Sequence, residues 1–210
     1  GASSTNGYDG LGNLSSVTLT GQAARSYTYS ALGRLTAATN PENGTVSGMA
    51  YDPMGNLVQY TDAAGVTITK DYDFKGRIQH VYKSGVTISL WSYDSSSGHG
   101  SYYKNRLTLT WSQRDDGSGA IQEDYTYDQF GGRLGHKRVT FNLGGGITSR
   151  IYDLTYRYEA NQGLLYTETA ARGTDFSKTI TSTYAHGGLK TRRFADLKGV
   201  SGITYKPSGM

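Results

Sequence analysis

The sequence has no cysteine, and its 210 residues include only 3 proline and 2 tryptophan residues. The lack of cysteine excludes a disulfide scaffold, a thiolate zinc site and a cysteine nucleophile. No run of 18 apolar residues occurs, so no membrane-spanning helix is predicted. The N-terminal residues also lack the charged and then apolar pattern of a signal peptide. The three scattered prolines exclude collagen and proline-rich linkers.

Glycine and tyrosine are present in excess, with 29 and 18 residues. Glycine makes up 29 of 210 residues, about 14%, which is roughly twice its usual share. Charged residues make up 18% of the chain and aromatic residues 12%. This composition argues against disorder. The net charge of +4 permits weak attraction to anionic surfaces but does not identify a partner.

The two abundant residues recur together in one seven-residue motif. It consists of Tyr, usually Asp, two variable residues, Gly, Asn or Arg, and finally Leu or Ile. The first four copies occupy residues 8–14, 29–35, 51–57 and 72–78. Their tyrosines are separated by 21 (29−8), 22 (51−29) and 21 (72−51) residues. A fixed period of this size indicates a repeat architecture.

The copies that begin at Tyr93, Tyr127, Tyr158 and Tyr184 are less regular, and Tyr205 starts a ninth copy. We therefore expect a single array over residues 1–210 with about eight hairpin repeats. The array is regular over 8–93 and divergent over 94–210. Because the chain stops inside the motif, we expect it to be a piece of a longer array.

The motif has the chemistry of a β-hairpin turn. Tyr favours the end of a strand, Asp can bind the turn backbone, and Gly supplies the positive φ that the last turn residue needs. A second set of Gly-rich turn signals lies between the copies. The sequence thus predicts an all-β antiparallel hairpin array in a curved, spiralling sheet, without significant helix. The predicted turn residues are Tyr8, Asp9, Gly12, Tyr29, Gly33, Tyr51, Asp52, Gly55, Tyr72, Asp73, Gly76, Tyr127, Asp128 and Gly131.

The sequence leaves open which face of this sheet is covered. Ile68 and Tyr72 share one face by their even spacing, whereas the segment from Gly85 to Tyr93 is one residue longer than the equivalent segment from Gly65. Either a β-bulge absorbs this slip, or tyrosines lie on both faces.

The repeated motif resembles that of the YD-repeat family, which includes bacterial Rhs proteins, wall-associated proteins, the C components of Tc toxins and animal teneurins. The resemblance covers residues 8–209 and is most specific in the first four copies. It implies a β-sheet that spirals into a hollow shell around a toxic or otherwise reactive C-terminal segment. This chain would then be a non-catalytic section of a bacterial secreted or cell-surface shell. Its partners would be the rest of the shell and its cargo.

Residues that could carry catalysis or bind a metal have simpler explanations. The tip aspartates recur in each copy, which indicates a turn function, because a catalytic residue is needed only once. The segment 71–76 resembles a calcium loop, but Lys75 stands where an oxygen ligand is needed. The four histidines, His80, His99, His136 and His186, are dispersed along the chain. We predict no enzyme activity, no metal site and no cofactor.

One position of the motif alternates between Asn and Arg and predicts a solvated rim along the sheet rather than a basic stripe. These residues are Asn13, Arg34, Asn56, Arg77, Arg106 and Arg133. Two short basic runs, at 136–138 and 190–193, lack any nucleic-acid motif, so no nucleic-acid partner is predicted.

An alternative function is a surface adhesin that binds a carbohydrate or a protein. Its candidate ligand-binding residues are Trp91 and Trp111, on the strands that flank a long turn, and Tyr102 and Tyr103 within that turn. The competing interpretation is that both tryptophans pack in the sheet. Terminal strands with unpaired edges also predict edge-to-edge self-association.

Overall fold

The computed structural model describes residues 3–96, 102–114, 116–128, 132–145, 149–159, 163–172, 176–185, 188–194 and 202–204. These residues form β-strands and no helix, which confirms the predicted all-β class. The strands are β1 (Ser4–Tyr8), β2 (Leu14–Leu19), β3 (Arg25–Tyr29), β4 (Leu35–Asn40), β5 (Gly44–Tyr51), β6 (Leu57–Thr61), β7 (Thr67–Tyr72), β8 (Ile78–Lys83), β9 (Val86–Tyr93), β10 (Leu107–Gln113), β11 (Ala120–Tyr127), β12 (Leu134–Asn142), β13 (Arg150–Tyr158), β14 (Leu165–Arg172), β15 (Phe176–Ala185), β16 (Gly188–Phe194) and β17 (Gly202–Thr204).

The chain divides into two compact units, residues 1–90 and 91–210. In the first unit each strand from β1 to β8 pairs antiparallel with the next one along the chain, and β8 pairs with residues 86–90 of β9. In the second unit the strands from β10 to β17 do the same. Each unit is therefore an antiparallel meander of hairpins. The expectation of one array over residues 1–210 stays a prediction.

The two faces of the sheet differ in chemistry. In the first unit Tyr60, Ile68 and Tyr72 lie on one face, which we call the tyrosine face. Threonines dominate the other, and Thr39 and Thr45 face each other there with their Oγ1 atoms 3.0 Å apart. Such cross-strand pairs stabilise a sheet.

The parity slip before Tyr93 is absorbed by the β-bulge that the sequence offered as one explanation. In the β8–β9 pair, Val81 pairs with Ser89 but Tyr82 pairs with Thr87, which leaves Ile88 as the extra residue. Tyr82 lies on the threonine face, because it also pairs with Thr69. Both alternatives left open by the sequence thus occur in this hairpin.

Few side chains are deeply buried. Among the described apolar side chains, Ile68 and Ala120 are the most buried, each 8% exposed, and Thr108 and Ser182 are the buried polar residues. Over the residues that the structure describes, neither unit therefore shows a two-layer core. The stability of each unit depends on the hydrogen bonds between strand backbones, on cross-strand side-chain pairs and on contacts between neighbouring turns. No helix among the described residues has the length and apolar character needed to span a membrane.

Candidate functional site

The repeated motif forms a hairpin tip with one constant register. In the second tip Tyr29 pairs with Leu35, whereas Thr28 pairs with Ala37, so Thr36 is an extra residue on the returning strand. The same shift follows the Leu or Ile of the other described tips, at residues 15, 58, 79, 135, 166 and 190. A bulge of this kind interrupts the hydrogen-bond ladder and increases the local twist. Each of these tips is thus one Tyr–Leu or Tyr–Ile pair followed by a bulge.

The aspartate of the tip binds the residue four positions later. The backbone N of Asn56 donates to Asp52 Oδ1 over 2.8 Å, and Asn56 Nδ2 donates to Asp52 Oδ2, also over 2.8 Å. Asp9 and Asn13 repeat both bonds at 2.9 Å. The side-chain hydrogen bond from Asn56 is the main reason that the pKa of Asp52 lies below its usual value. In the first tip, the side-chain hydrogen bond from Asn13 lowers the pKa of Asp9 in the same way.

Arginine replaces asparagine at this position in other tips and makes an ion pair there. Arg77 Nε donates to Asp73 Oδ2 over 2.7 Å, and Arg133 Nε donates to Asp128 Oδ2 over 3.2 Å. Partial burial raises the pKa of Asp73, but the hydrogen bonds from Arg77 and Lys75 outweigh it and the pKa is lowered. The residues of the predicted solvated rim are therefore half-buried. In the tips that have an aspartate and are described above, their side chains bind that aspartate. The sequence analysis missed this function, although the fixed spacing of four residues from Asp carried the signal.

The tyrosine of five tips connects its tip to the one before it. The Tyr51 hydroxyl donates to the carbonyl oxygen of Leu35 over 2.9 Å, and the Tyr72 hydroxyl donates to that of Leu57 over 3.0 Å. The second unit repeats the bond from Tyr127 to Leu107 at 2.6 Å, from Tyr158 to Leu134 at 2.9 Å and from Tyr184 to Leu165 at 2.8 Å. The accepting carbonyl lies beside the bulge, where the ladder is interrupted. Burial raises the pKa of Tyr72, Tyr127 and Tyr158, so their hydroxyls remain donors at neutral pH.

The sequence analysis assigned these tyrosines only to strand ends. A half-buried tyrosine hydroxyl needs a hydrogen-bond partner, and the 21-residue period places consecutive tips side by side. Those two facts were available from the sequence, but the accepting carbonyl depends on the bulge. We call the repeated Tyr–Leu hydrogen bonds the tip ladder.

Arginine and glycine complete the contact between neighbouring tips. The Arg34 guanidinium carbon lies 5.6 Å from the centroid of the Tyr51 ring, and that of Arg133 lies 4.5 Å from the Tyr158 ring. These distances suit a cation–π contact. A Cβ on Gly55 would lie 3.7 Å from Arg34 Nη2, and Gly55 has φ of 91°. Glycine is thus needed at position 55 for its backbone conformation, whereas a Cβ there would make only an ordinary contact with Arg34.

The structure places the other predicted turn residues in the same geometry, with two differences. Gly131 lies outside the described residues, and Gly132 has the positive φ of 64° in that tip. In the second tip Ser30 occupies the aspartate position, and its Oγ accepts from the backbone N of Arg34 over 3.2 Å. Arg34 Nη1 instead donates to the carbonyl oxygen of Asp52 in the next tip over 3.0 Å.

The four candidate ligand-binding aromatics lie in the second unit and do not form a common platform. Trp91, Trp111 and Tyr103 are half-buried, and Tyr102 is 42% exposed. None of the four rings stacks on another aromatic residue that the structure describes. Residues 97–101 of the long turn lie outside the described residues.

Two histidines each pair with an aspartate on a neighbouring strand. His80 Nδ1 lies 2.9 Å from Asp71 Oδ1, and His136 Nε2 lies 2.9 Å from Asp153 Oδ1. The side-chain bond from Arg138 is the largest cause of the lowered pKa of Asp153. Over the described part of the chain, no three His, Cys, Asp or Glu side chains come together as a metal site. His99 and His186 lie outside the described residues.

Comparison with known proteins identifies the repeat. A sequence model of the RHS Repeat family matches residues 8–45 and 39–67. The crystal structure of TcdB2-TccC3-Cdc42 matches 89% of this chain with 13% identity and a TM-score of 0.61. The structure of TcdB2-TccC3 without its hypervariable C-terminal region matches 91% with 14% identity and a TM-score of 0.62. At this identity the likeness concerns the fold. The chain spans 10% of the length of either solved chain. Comparison with curated protein sequences yields no significant match.

Proposed function

We propose that this chain, which belongs to the YD-repeat (Rhs) family, forms a section of wall in a large β-sheet shell. The tip ladder is the observation that carries this proposal, because it joins five hairpins to the preceding one through the same kind of contact. A site that recurs in successive hairpins serves assembly, whereas a catalytic centre is needed once. The wall section is accordingly non-catalytic.

The shell encloses or presents a C-terminal toxin or effector that lies outside these residues, and the protein acts outside a bacterial cell or on its surface. Its partners are the remaining wall and the enclosed segment. The family and the likeness of fold to much longer chains support this proposal. The small number of buried side chains supports it as well, since a single-layer sheet is suited to separating two compartments.

Limited proteolysis tests the enclosure. The protein would be expressed from the natural reading frame that contains residues 1–210 and compared with its C-terminal segment expressed alone. We expect the segment to be cleaved much more slowly within the intact protein. A variant with Tyr51→Ala and Tyr72→Ala removes two rungs of the tip ladder and should accelerate cleavage. Tyr8→Ala, at a tyrosine that is 62% exposed, is the matched control. Equal cleavage of the enclosed and isolated segments would overturn the proposal.

A second candidate is the adhesin function, which the 42% exposure of Tyr102 in the long turn favours. A glycan array would compare the wild-type chain with the Trp91→Ala/Trp111→Ala double variant. Tyr166→Ala, at a tyrosine that is 45% exposed elsewhere in the same unit, is the control. Specific binding that only the tryptophan variant loses would support an adhesin. No binding by the wild type would rule out a glycan ligand on the array.

A further inference from the structure

An open hollow lies on one face of the second unit, over strands β12, β13 and β14. Its volume is about 490 Å³, which is within the usual range of small-molecule pockets. The apolar side chains that line it are Val139, Phe141, Leu143, Tyr152, Leu154 and Ala170. All six are half-buried, so they leave a depression that is neither closed nor flat. We call this depression the β12–β14 hollow.

The β12–β14 hollow exists because a small side chain stands between long ones. Ala170 pairs with Leu154 on β13 and with Lys178 on β15, and such partners lie about 5 Å apart on the same face. The ring centroids of Phe141 and Tyr152 lie 5.7 Å apart with an interplanar angle of 86°, an edge-to-face contact that forms one wall. The methyl group of Ala170 is thus the floor, and the longer side chains on the neighbouring strands form the sides.

One end of the β12–β14 hollow is positively charged. Arg150 lines it and is exposed, and it makes no ion pair with any residue that the structure describes. Arg172 lies toward the same end, because Ala171 pairs with Asp153 and the next residue of β14 therefore lies on the Tyr152 side. A guanidinium group matches a carboxylate or sulfonate through two parallel hydrogen bonds. This end is therefore suited to an anion.

The nearby acids do not oppose an anion at Arg150. Glu168 pairs with Tyr156, so it lies beyond Leu154 at the opposite end. Asp153 also lines the hollow, but its Oδ1 atom lies 2.8 Å from Arg138 Nε and 2.9 Å from His136 Nε2. These partners lie on the other face of the sheet, because successive strand residues alternate between faces.

We propose that the β12–β14 hollow binds a small amphiphilic anion. The apolar or aromatic body of this ligand lies over Ala170 between Tyr152 and Leu154, and its carboxylate or sulfonate accepts hydrogen bonds from the Arg150 guanidinium. Arg150 and Leu154 are four residues apart on one strand, about 13 Å, which gives room for a body of naphthalene size. The site lies within three neighbouring strands, so it does not depend on the proposed wall function.

The shape of the β12–β14 hollow favours a single free molecule over a membrane surface. Proteins that lie on a bilayer insert protruding apolar side chains into it, whereas these side chains surround a depression. A concave apolar surface with one convergent charged group is the usual form of a small-molecule site. The ligand class is thus fixed by three properties of the hollow: its size, its apolar lining and the cation at one end.

Two fluorescent probes test this assignment, because they differ only in the anionic group. Anilinonaphthalene sulfonate has the proposed chemistry, and phenylnaphthylamine has the same rings without the sulfonate. Each probe would be titrated into the 210-residue chain and its fluorescence recorded. We expect saturable binding of both probes with a stoichiometry of one, and tighter binding of the sulfonate.

Two variants separate the apolar body from the anion. Ala170→Leu fills the floor of the hollow and should weaken both probes by about tenfold or more. Arg150→Gln removes the cation, so it should weaken the sulfonate by about fivefold, the size of an exposed ion pair, and leave phenylnaphthylamine unchanged. Arg150 is exposed, and this second variant should keep the wild-type circular dichroism and thermal midpoint.

Matched controls have the same changes at other places. Arg157→Gln removes an exposed arginine of β13 whose odd position places it on the other face, and Ala64→Leu enlarges an exposed alanine in a turn of the first unit. Neither should alter the binding of either probe. An equal loss of sulfonate binding in Arg157→Gln would overturn the proposal, because net charge would then explain it.

Three other results would also overturn the proposal. They are the absence of saturable binding to the wild type, unchanged binding by a folded Ala170→Leu variant, and equal weakening of both probes by Arg150→Gln. If Ala170→Leu does not fold, the two probes compared in Arg150→Gln decide alone. Flotation of the wild-type chain, but not of Arg150→Gln, with phosphatidylglycerol vesicles would replace the free ligand by a membrane surface.

Discussion

The tips of the first unit and those of the second differ in spacing but share the same anchors. Tyrosines of the first unit recur every 21 or 22 residues, whereas those of the second are separated by 34 (127−93), 31 (158−127) and 26 (184−158) residues. Tyr127 and Tyr158 nevertheless make the same hydrogen bond as Tyr51 and Tyr72. The repeat is therefore defined by the Tyr–Leu contact between tips, and the length of the intervening turns is free to vary.

The turns opposite the tips show a second difference. In the first unit a Cβ on Gly65 would meet no atom within 4 Å, and one on Gly44 would press on the Ala63 side chain, 2.8 Å from its Cβ, but on no backbone atom closer than 3.8 Å. In the second unit a Cβ on Gly144 would collide with the backbone of Ser118, and one on Gly119 would collide with the carbonyl of Asn142. Neighbouring turns of the second unit thus interlock through their backbones. Glycine is required there for space as well as for conformation.

The largest expected effect compares Gly144→Ala with Gly65→Ala. Both glycines have positive φ, 65° and 78°, so each substitution should cost about 1–2 kcal/mol from the left-handed conformation alone. Gly144→Ala must in addition displace the Ser118 backbone, so we expect it to lower the free energy of unfolding by clearly more. Urea denaturation of both variants measures the difference. Equal losses would show that the turns of the second unit are not interlocked.

The next effect concerns the tip ladder in both units. Tyr127→Phe and Tyr72→Phe each remove one hydroxyl and leave a Leu carbonyl without its donor, which should cost about 1 kcal/mol. Similar losses in both units are expected, because the bond is the same. Tyr8→Phe is the control, since that side chain is 62% exposed, and it should change stability by less than about 0.5 kcal/mol. A loss in the first unit alone would confine the ladder to the regular repeats.

The fold was predictable from the sequence because its signals are local. The Tyr-to-Gly spacing, the positive φ at glycine and the turn chemistry of Asp all act within seven residues, and they indicate the hairpins and the antiparallel class. The contacts between tips were not predictable to the same degree. They depend on the bulge after Leu35 or Leu57, which frees a backbone carbonyl that no side-chain pattern reveals.

The candidate binding aromatics show the same limit. Trp91 and Trp111 flank one long turn in the sequence. Their exposure to solvent, however, depends on how many neighbouring side chains pack over each strand position. Both are half-buried, and this could not be read from a sequence whose two faces both carry aromatic residues. The Asn or Arg position was misjudged for a related reason. Its partner, Asp, lies four residues away around a turn, and only the turn geometry brings the two side chains together.

A smaller effect is expected when the pH is lowered, because the thermal midpoint should respond differently in tips with and without an aspartate. Since the pKa of Asp52 is lowered in the folded state, its contribution is present above the usual value of about 3.9 and is lost as pH falls through the folded pKa. Asp52→Asn should therefore lower the thermal midpoint at pH 7 and weaken its fall below about pH 4. Ser30→Asp should do the reverse, because it gives the second tip the missing carboxylate. Unchanged acid profiles in both variants would contradict this function of the aspartate.

The smallest effect on stability is expected at the apex of the tips. Leu32 is 80% exposed, so Leu32→Ser removes little buried area and should change the free energy of unfolding by less than about 0.5 kcal/mol. Tyr102→Ser, in the long turn of the second unit, should cost somewhat more, because that side chain is only 42% exposed. Urea denaturation at low protein concentration, where chains do not associate, measures both. A loss above about 1 kcal/mol for Leu32→Ser would mean that this leucine packs on its own sheet, since exposed sites rarely give such values.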